Sequence, residues 1–363
     1  MHNSIGECFC VTTFGESHGK IIGVVIDGCP SGIKITQAEI QNEMNKRRPG
    51  ILLISTKRSE TDKIEILSGI KNEYTTGAPI AIMIHNEDFN SVTYTQVKTT
   101  PRPSHADYPA LERFGKSVDL NGGGRFSGRI TASFVMAGAI AEKILFERGI
   151  KVAAYASSIG EYMDNKNYTL AEIKRTENPF QLPNSLLVKK VETLILDAKS
   201  KKDSVGGIVK CIIEGVPPGM GNPLFGSVES KLSTAIFAIP GIRGIEFGLG
   251  FASTKLPGSL HNDAYSISNG KIITKSNNAG GIIGGLTTGM PIVFSCAVKP
   301  TPTIGISQET IDLETQQPVK IAFKGDHDPC IVPRIIPVIE SITAIVLVDI
   351  LIGNGWIPQK IEK

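Results

Sequence analysis

One short pattern occurs twice in this chain. Residues 74–84 read YTTGAPIAIMI and residues 286–296 read LTTGMPIVFSC, so both carry T-T-G-x-P-I followed by an apolar run. In each copy a turn rich in Thr, Gly and Pro leads into a strand-like segment. The repeat predicts a single compact domain over residues 1–363, built from two similar β-α-β halves, approximately 1–150 and 200–350. The alternative is a pair of unrelated loops that use the same favourable turn residues.

The rest of the chain is read from local signals. The first 35 residues alternate short apolar runs with glycines, which reads as strands joined by tight turns. Thr36 with Glu39 has capping-box spacing and predicts a helix over 37–47, stopped by Pro49 and Gly50. Strands are expected at 63–69 and 79–86. Residues 87–128 are polar, rich in Pro and Gly, and lack sustained periodicity. A long helix is expected over 131–149, with Gly149 as its C-terminal cap. Thr169 with Glu172 opens a short helix near 170–175, and a further helix is expected over 224–237, ending at Pro240 and Gly241.

Composition removes several classes of function. The 363 residues carry 38 Lys and Arg against 35 Asp and Glu, a net charge of only +3, and aromatics make up 6%. That offers neither a phosphate-tracking surface nor a stacking platform, so no nucleic-acid partner is expected. The apolar run at 342–352 is short and contains Asp349, which predicts a buried helix or strand rather than a membrane span. Six cysteines in a chain of this size, with no secretory leader, predict a reducing, cytoplasmic setting. Cys8 and Cys10 form the only close pair and lack matching ligand spacing, so no metal site is expected.

Candidate chemistry concentrates in three loops. Of six histidines, His18 lies in GESHG, His105 in RPSHADY and His327 in KGDHDPC, all short segments dense in polar groups. A histidine on such a loop can meet a substrate and titrate near neutral pH. Only 11 residues are arginine, against 27 lysines, and Arg47, Arg48, Arg102, Arg125, Arg129 and Arg334 stand beside Pro, Gly or His rather than in helical stripes. A guanidinium fork suits bidentate grip on phosphate or carboxylate, which points to a small anionic substrate. The glycine run at 121–125, placed before a helix, could hold an anion on its amides. GESHG also has the spacing of a hydrolase nucleophile elbow centred on Ser17, but the segment after it reads as a strand, not a helix.

Taken together, TTFGESHG, RRPG, RPSHADY, GGGRFSGR, AGGIIGG, KPTPTI and KGDHDPC, in this order along essentially the whole chain, closely resemble the chorismate synthase family. The resemblance implies an α+β fold, a β-α-β sandwich with helices packed between antiparallel sheets. It implies a carbon-oxygen lyase that eliminates phosphate from 5-enolpyruvylshikimate 3-phosphate to give chorismate. Reduced FMN (FMNH2) is the implied cofactor, with NADPH as a candidate external reductant, and a homotetramer is the implied assembly. The weaker alternative is a flavin- or anion-binding homologue with reduced catalytic power.

Residue by residue, the resemblance implies that His18 protonates the departing phosphate, that His105 donates to the reduced flavin, and that Asp328 assists proton handling beside it. Substrate binding falls to Arg48, Arg102, Ser127, Arg129 and Arg334. Cofactor binding falls to Arg47, Arg125, Phe126, Ser127, Pro240, Gly241, Gly284, Lys299, Pro300, Thr301, Pro302, Thr303 and Asp326. Four positions depart from the family pattern: Leu53 and Asp326 each stand where an arginine is usual, and GRFSGR brings Phe126 and Gly128. A carboxylate at 326 is expected to weaken flavin binding by like-charge repulsion.

Overall fold

The structure, a computed structural model, describes residues 2–48, 61–87, 97–323 and 327–361. Two five-stranded antiparallel sheets enclose a layer of helices. The first sheet runs in the order Ser4–Ile5, Cys10–Gly15, Ile21–Asp27, Ile80–His85, Ile64–Ser68. The second runs Tyr162–Met163, Lys151–Ile159, Gly207–Glu214, Ile292–Val298, Ile242–Phe247. Alternation sets the inward faces: Ile80, Ile82 and Ile84 are buried on one strand, and Ile292, Phe294, Cys296 and Val298 on its counterpart.

Both copies of T-T-G-x-P-I do the same structural work. In each sheet the strand that follows the motif lies between a strand that precedes G-x-P-x-G and the next long strand in the chain. Thr75 Oγ1 donates to Pro30 O (2.6 Å) and accepts from Ile33 N (3.0 Å). Thr287 Oγ1 donates to Pro217 O (2.6 Å) and accepts from Met220 N (2.9 Å).

The helices between the sheets are dominated by Thr131–Glu147 and Val332–Gly353, which cross at small residues. A Cβ on Gly138 would lie 2.1 Å from Ser341 Cβ, so glycine sets how closely these helices approach. Gln37–Arg47 packs beside the first of them with its Thr36–Glu39 capping box formed. The short helix Leu170–Lys174 forms its box through Thr169 and Glu172. Gly149 follows Thr131–Glu147 at φ +75°, the left-handed cap read from the sequence.

Some elements differ from their sequence expectation. The apolar run at 342–352 is the end of a 22-residue helix, because Pro333 fits its first turn and Pro337 is accommodated inside it. Among the described residues it is the one helix long and apolar enough to cross a membrane, but 89% of its most apolar window is buried within the protein. Asp349 on this helix accepts from the amides of Glu7, Cys8 and Phe9 (2.7, 2.7 and 3.0 Å), tying the start of the chain to its end. The helix expected from 224 begins at Val228: Ser227 caps it, and Leu224–Gly226 forms a separate 3₁₀ turn. Helices Asp107–Phe114 and Ser185–Ser200 were not expected. The first has no side-chain cap to announce it; the second is capped by Asn184 and buries Val191, Ile195 and Ala198 on one face. All six cysteines are unpaired.

Candidate active site

Both long helices begin at one cavity of about 710 Å³, whose wall includes Thr131 at the start of one helix and Arg334 in the first turn of the other. Their amino ends favour negative charge there. Six of the chain's 11 arginines line it, namely Arg47, Arg102, Arg125, Arg129, Arg243 and Arg334, together with Lys299. Among the described residues, Asp328 is the acidic one in the lining. The size suits a ligand of a few hundred daltons, and the charge selects an anion.

His18 and His105 meet this cavity beside the triple-glycine turn. Gly122, Gly123 and Gly124 all have positive φ, and each reversal serves a specific neighbour. A Cβ on Gly122 would lie 2.2–2.3 Å from Cδ2 and Nε2 of His18, so the imidazole packs directly on the bare backbone. A Cβ on Gly123 would lie 3.4 Å from both His105 Nε2 and Ser127 Cβ, which brings these two groups to the same turn. The glycine run thus makes room for the His18 imidazole and touches that of His105. The loop bearing His18 is fastened by Asn86, whose Nδ2 donates to Glu16 O (3.1 Å) and Gly19 O (2.7 Å). That loop joins two antiparallel strands, and Ser17 is fully buried within it. Neither the strand-turn-helix context nor an exposed serine required of a nucleophile elbow is present.

The arginines are held by buried partners. Asp62, wholly buried, takes Arg129 Nη1 at 2.5 Å and lies 3.8 Å from Arg47 Nη1. Arg129 Nε donates to Asn86 Oδ1 (3.1 Å), and Arg47 donates to Gly128 O (2.8 Å) and Thr131 Oγ1 (3.0 Å). Arg125 reaches back to the first sheet, to Gly15 O (3.0 Å), Thr13 Oγ1 (2.8 Å) and Asn3 Oδ1 (2.9 Å). Arg334 and Asp328 form a close ion pair, and Arg334 Nε donates to Arg47 O (3.5 Å). Lys299 donates to Ser104 O (2.6 Å), and burial, with Arg243 nearby, holds its pKa below the usual lysine value.

Arg102 is engaged differently from a free anion clamp. Its Nε and Nη2 donate to the two oxygens of Asp107, each at 2.7 Å, and Nη1 donates to Thr303 Oγ1 (3.2 Å). His105 Nδ1 also lies 2.7 Å from Asp107 Oδ1. Burial pushes the Asp107 carboxyl up, but its bonds to Arg102 and His105 outweigh this and hold it well below the usual range. Burial lowers the His105 pKa, and Arg102 acts in the same direction, against the pull of Asp107.

Of the residues singled out in the sequence, the cavity gathers His18, His105, Asp328, Arg102, Ser127, Arg129, Arg334, Arg47, Arg125, Phe126, Pro240, Gly241, Lys299 and Pro300 to Thr303. Two are placed elsewhere. Arg48 caps the helix Gln37–Arg47 outside the lining, and Gly284 sits in the two-residue turn between Ile282–Ile283 and Leu286–Thr287. Asp326 and Leu53 lie outside the described residues. His327 also lines the cavity, with its ring 6.3 Å from Phe323, edge to face. Sequence reasoning missed Arg243, although it sits in the same GIRG segment as Gly241. It missed Asp62, Asn86 and Asp107, which act on side chains from behind the wall; for Asp62 and Asn86 no local signal exists.

Comparison with known proteins agrees across the chain. The family model described as chorismate synthase matches residues 9–352. A chorismate synthase of Dehalococcoides mccartyi is 45% identical over 365 aligned positions, covering 100% of both chains. One from Pyrococcus abyssi is 48% identical, covering 97% of this chain and 98% of the relative. A crystal structure of chorismate synthase superposes with a TM-score of 0.76 at 27% identity, covering 96% of this chain and 93% of that one.

Proposed function

Because this chain belongs to the chorismate synthase family, we propose that it eliminates phosphate from 5-enolpyruvylshikimate 3-phosphate to give chorismate, using reduced FMN. The observation that carries this reading is the cavity itself, lined by six arginines, with His18 and His105 brought together at the glycine turn. A substrate with one phosphate and two carboxylates matches that surplus of cation.

The lining also fits a flavin. Phe126, Ile239 and Ile331 give it apolar surface, while the backbone of 300–303 and 240–241, with Lys299, Arg125 and Ser127, gives polar surface beside them. When bound, reduced FMN supplies electron density as the allylic C–O bond breaks and recovers it as hydrogen leaves the ring, so no net oxidation results. The protein binds, orients and moves protons. Arg129 and Arg47, held by Asp62, direct positive charge toward the substrate's anionic groups. Arg334 does so from beside Arg47, with Asp328 fixing its direction. His18, packed on Gly122, holds the proton that the phosphate takes as it departs. Exclusion of water strengthens each of these contacts.

The direct test is anaerobic incubation of the protein with dithionite-reduced FMN and enolpyruvylshikimate phosphate. Stoichiometric release of phosphate and chorismate is expected. Bound substrate without phosphate release would overturn the reading in favour of the weakened homologue. Replacing dithionite by NADPH is expected to give no turnover unless a separate flavin reductase is added.

We also propose a homotetramer in the cytoplasm. Phe251, Leu260, Tyr265, Ile267 and Ile272 are all at least 66% exposed along 251–272, a concentration of apolar surface that assembly would cover. Sedimentation should give four times the chain mass of 38.9 kDa. Ile267→Lys combined with Ile272→Lys should lower that mass while the chain stays folded.

A further inference from the structure

We propose that Asp107 is a positioning residue that fixes the tautomer of His105, with Nδ1–H donating to Asp107 and Nε2 presented to the cavity, and that Arg102 serves to anchor Asp107 rather than to bind substrate. The catalytic part of this inference rests on the function proposed above; the tautomer does not.

The geometry leaves little freedom at Nδ1. It lies 2.7 Å from Asp107 Oδ1 and 3.0 Å from Arg102 Nη2. A bare lone pair on Nδ1 would point at a carboxylate oxygen at hydrogen-bond distance, which is repulsive. Arg102 Nη2, meanwhile, already donates to Asp107 Oδ1 at 2.7 Å. A proton on Nδ1 donates to Asp107 Oδ1, while Arg102 Nη2 keeps its own bond to that same oxygen, and the neutral ring then carries its lone pair on Nε2. That nitrogen is the one beside Gly123 and Ser127.

Asp107 is itself immobilised. It is 0% exposed, and it accepts from Arg102 through three bonds: backbone N (3.0 Å), Nε and Nη2 (each 2.7 Å). Such a paired, fully bonded carboxylate in a dry site holds its direction strictly. Arg102 in turn spans to Thr303 Oγ1 and stacks over Phe323 (5.7 Å), which fastens the loop bearing His105 to the segment following Val298. A guanidinium with its fork on one carboxylate and its remaining nitrogen on a threonine is spent as a scaffold.

The charged groups facing His105 are Asp107 and Arg102 from its own segment and Lys299, which is bonded to the neighbouring Ser104. Burial and the two cations favour the neutral ring, against the pull of Asp107. When a proton reaches Nε2, Asp107 stands across the ring to stabilise the imidazolium. His105 is thus built to accept a proton at Nε2 and return it, the two directions of one step.

The test uses the full-length chain labelled with ¹⁵N-histidine. In the unmodified protein at pH 7.5, His105 should show a protonated Nδ1 and an unprotonated Nε2. In Asp107→Asn, where the amide can donate to the ring, the proton should move to Nε2, and kcat should fall about 10²–10³-fold with KM within about threefold. Arg102→Lys should lower kcat more than it raises KM. Asp107→Glu should keep the Nδ1–H tautomer and recover part of the rate, which also covers the case in which the asparagine variant does not fold. An unmodified protein with the proton on Nε2 would overturn the inference, as would an Arg102→Lys variant whose only change is a raised KM. A protein that shows the tautomer switch but releases no phosphate would sink the proposed function alone.

Discussion

Asp62→Asn is expected to lower stability by about 3–5 kcal/mol, the cost of breaking a buried ion pair by removing one partner. The carboxylate is wholly buried and sits between Arg129 Nη1 at 2.5 Å and Arg47 Nη1 at 3.8 Å, with both guanidinia less than 5% exposed. An amide of the same shape keeps the packing but cancels the charge that both cations share. For a chain of this length the loss is roughly 4–6 °C in melting temperature. A second consequence separates electrostatics from packing. With Asp62 neutral, the cavity's cations attract an anion more strongly, so inorganic phosphate should raise the variant's melting temperature more than that of the unmodified protein. A variant that melts within a degree of the parent, or gains no extra stability from phosphate, would show that Asp62 does not organise this wall.

Elements set by neighbours three or four residues apart are legible in the sequence, and those set by distant partners are not. Thr36 with Glu39, Thr169 with Glu172, and Gly149 after an apolar stretch each carry their own signal, and each forms the cap it spells. The T-T-G-x-P-I echo is legible because the same two bonds recur in both halves. The cavity was largely legible through its loops, since histidine and arginine beside glycine and proline rarely serve packing. Asp62 and Asn86 are different: their meaning depends on Arg129, which lies 67 and 43 residues away along the chain. Arg48 and Arg47 are adjacent and chemically identical, and helix phase alone decides that Arg47 turns inward while Arg48 caps the end. The Asp107–Phe114 helix stayed hidden because Asp107, whose position would suit a helix start, spends its carboxylate on Arg102 and His105 instead of on capping.

Gly122→Ala is expected to reduce kcat about 10²–10³-fold, as much as removing the imidazole of His18 itself. The added methyl would sit 2.2–2.3 Å from the ring, far inside contact distance. The ring cannot slide away with its loop, because Asn86 bonds Glu16 O and Gly19 O on either side of it. The imidazole must therefore turn out of the position from which it can give a proton to the departing phosphate. The positive φ of +57° adds about 1–2 kcal/mol of backbone strain, which has to be separated from the clash. Gly149 supplies the control, with φ +75° and open space where a Cβ would stand, so Gly149→Ala should show the strain while leaving kcat unchanged. The decisive comparison is between backgrounds. If the methyl acts through the ring, Gly122→Ala should destabilise the parent more than it destabilises His18→Ala, where no imidazole remains to be displaced. Equal destabilisation in both would assign the effect to strain alone, and a Gly122→Ala protein with unchanged kcat would remove His18 as the proton donor in that position.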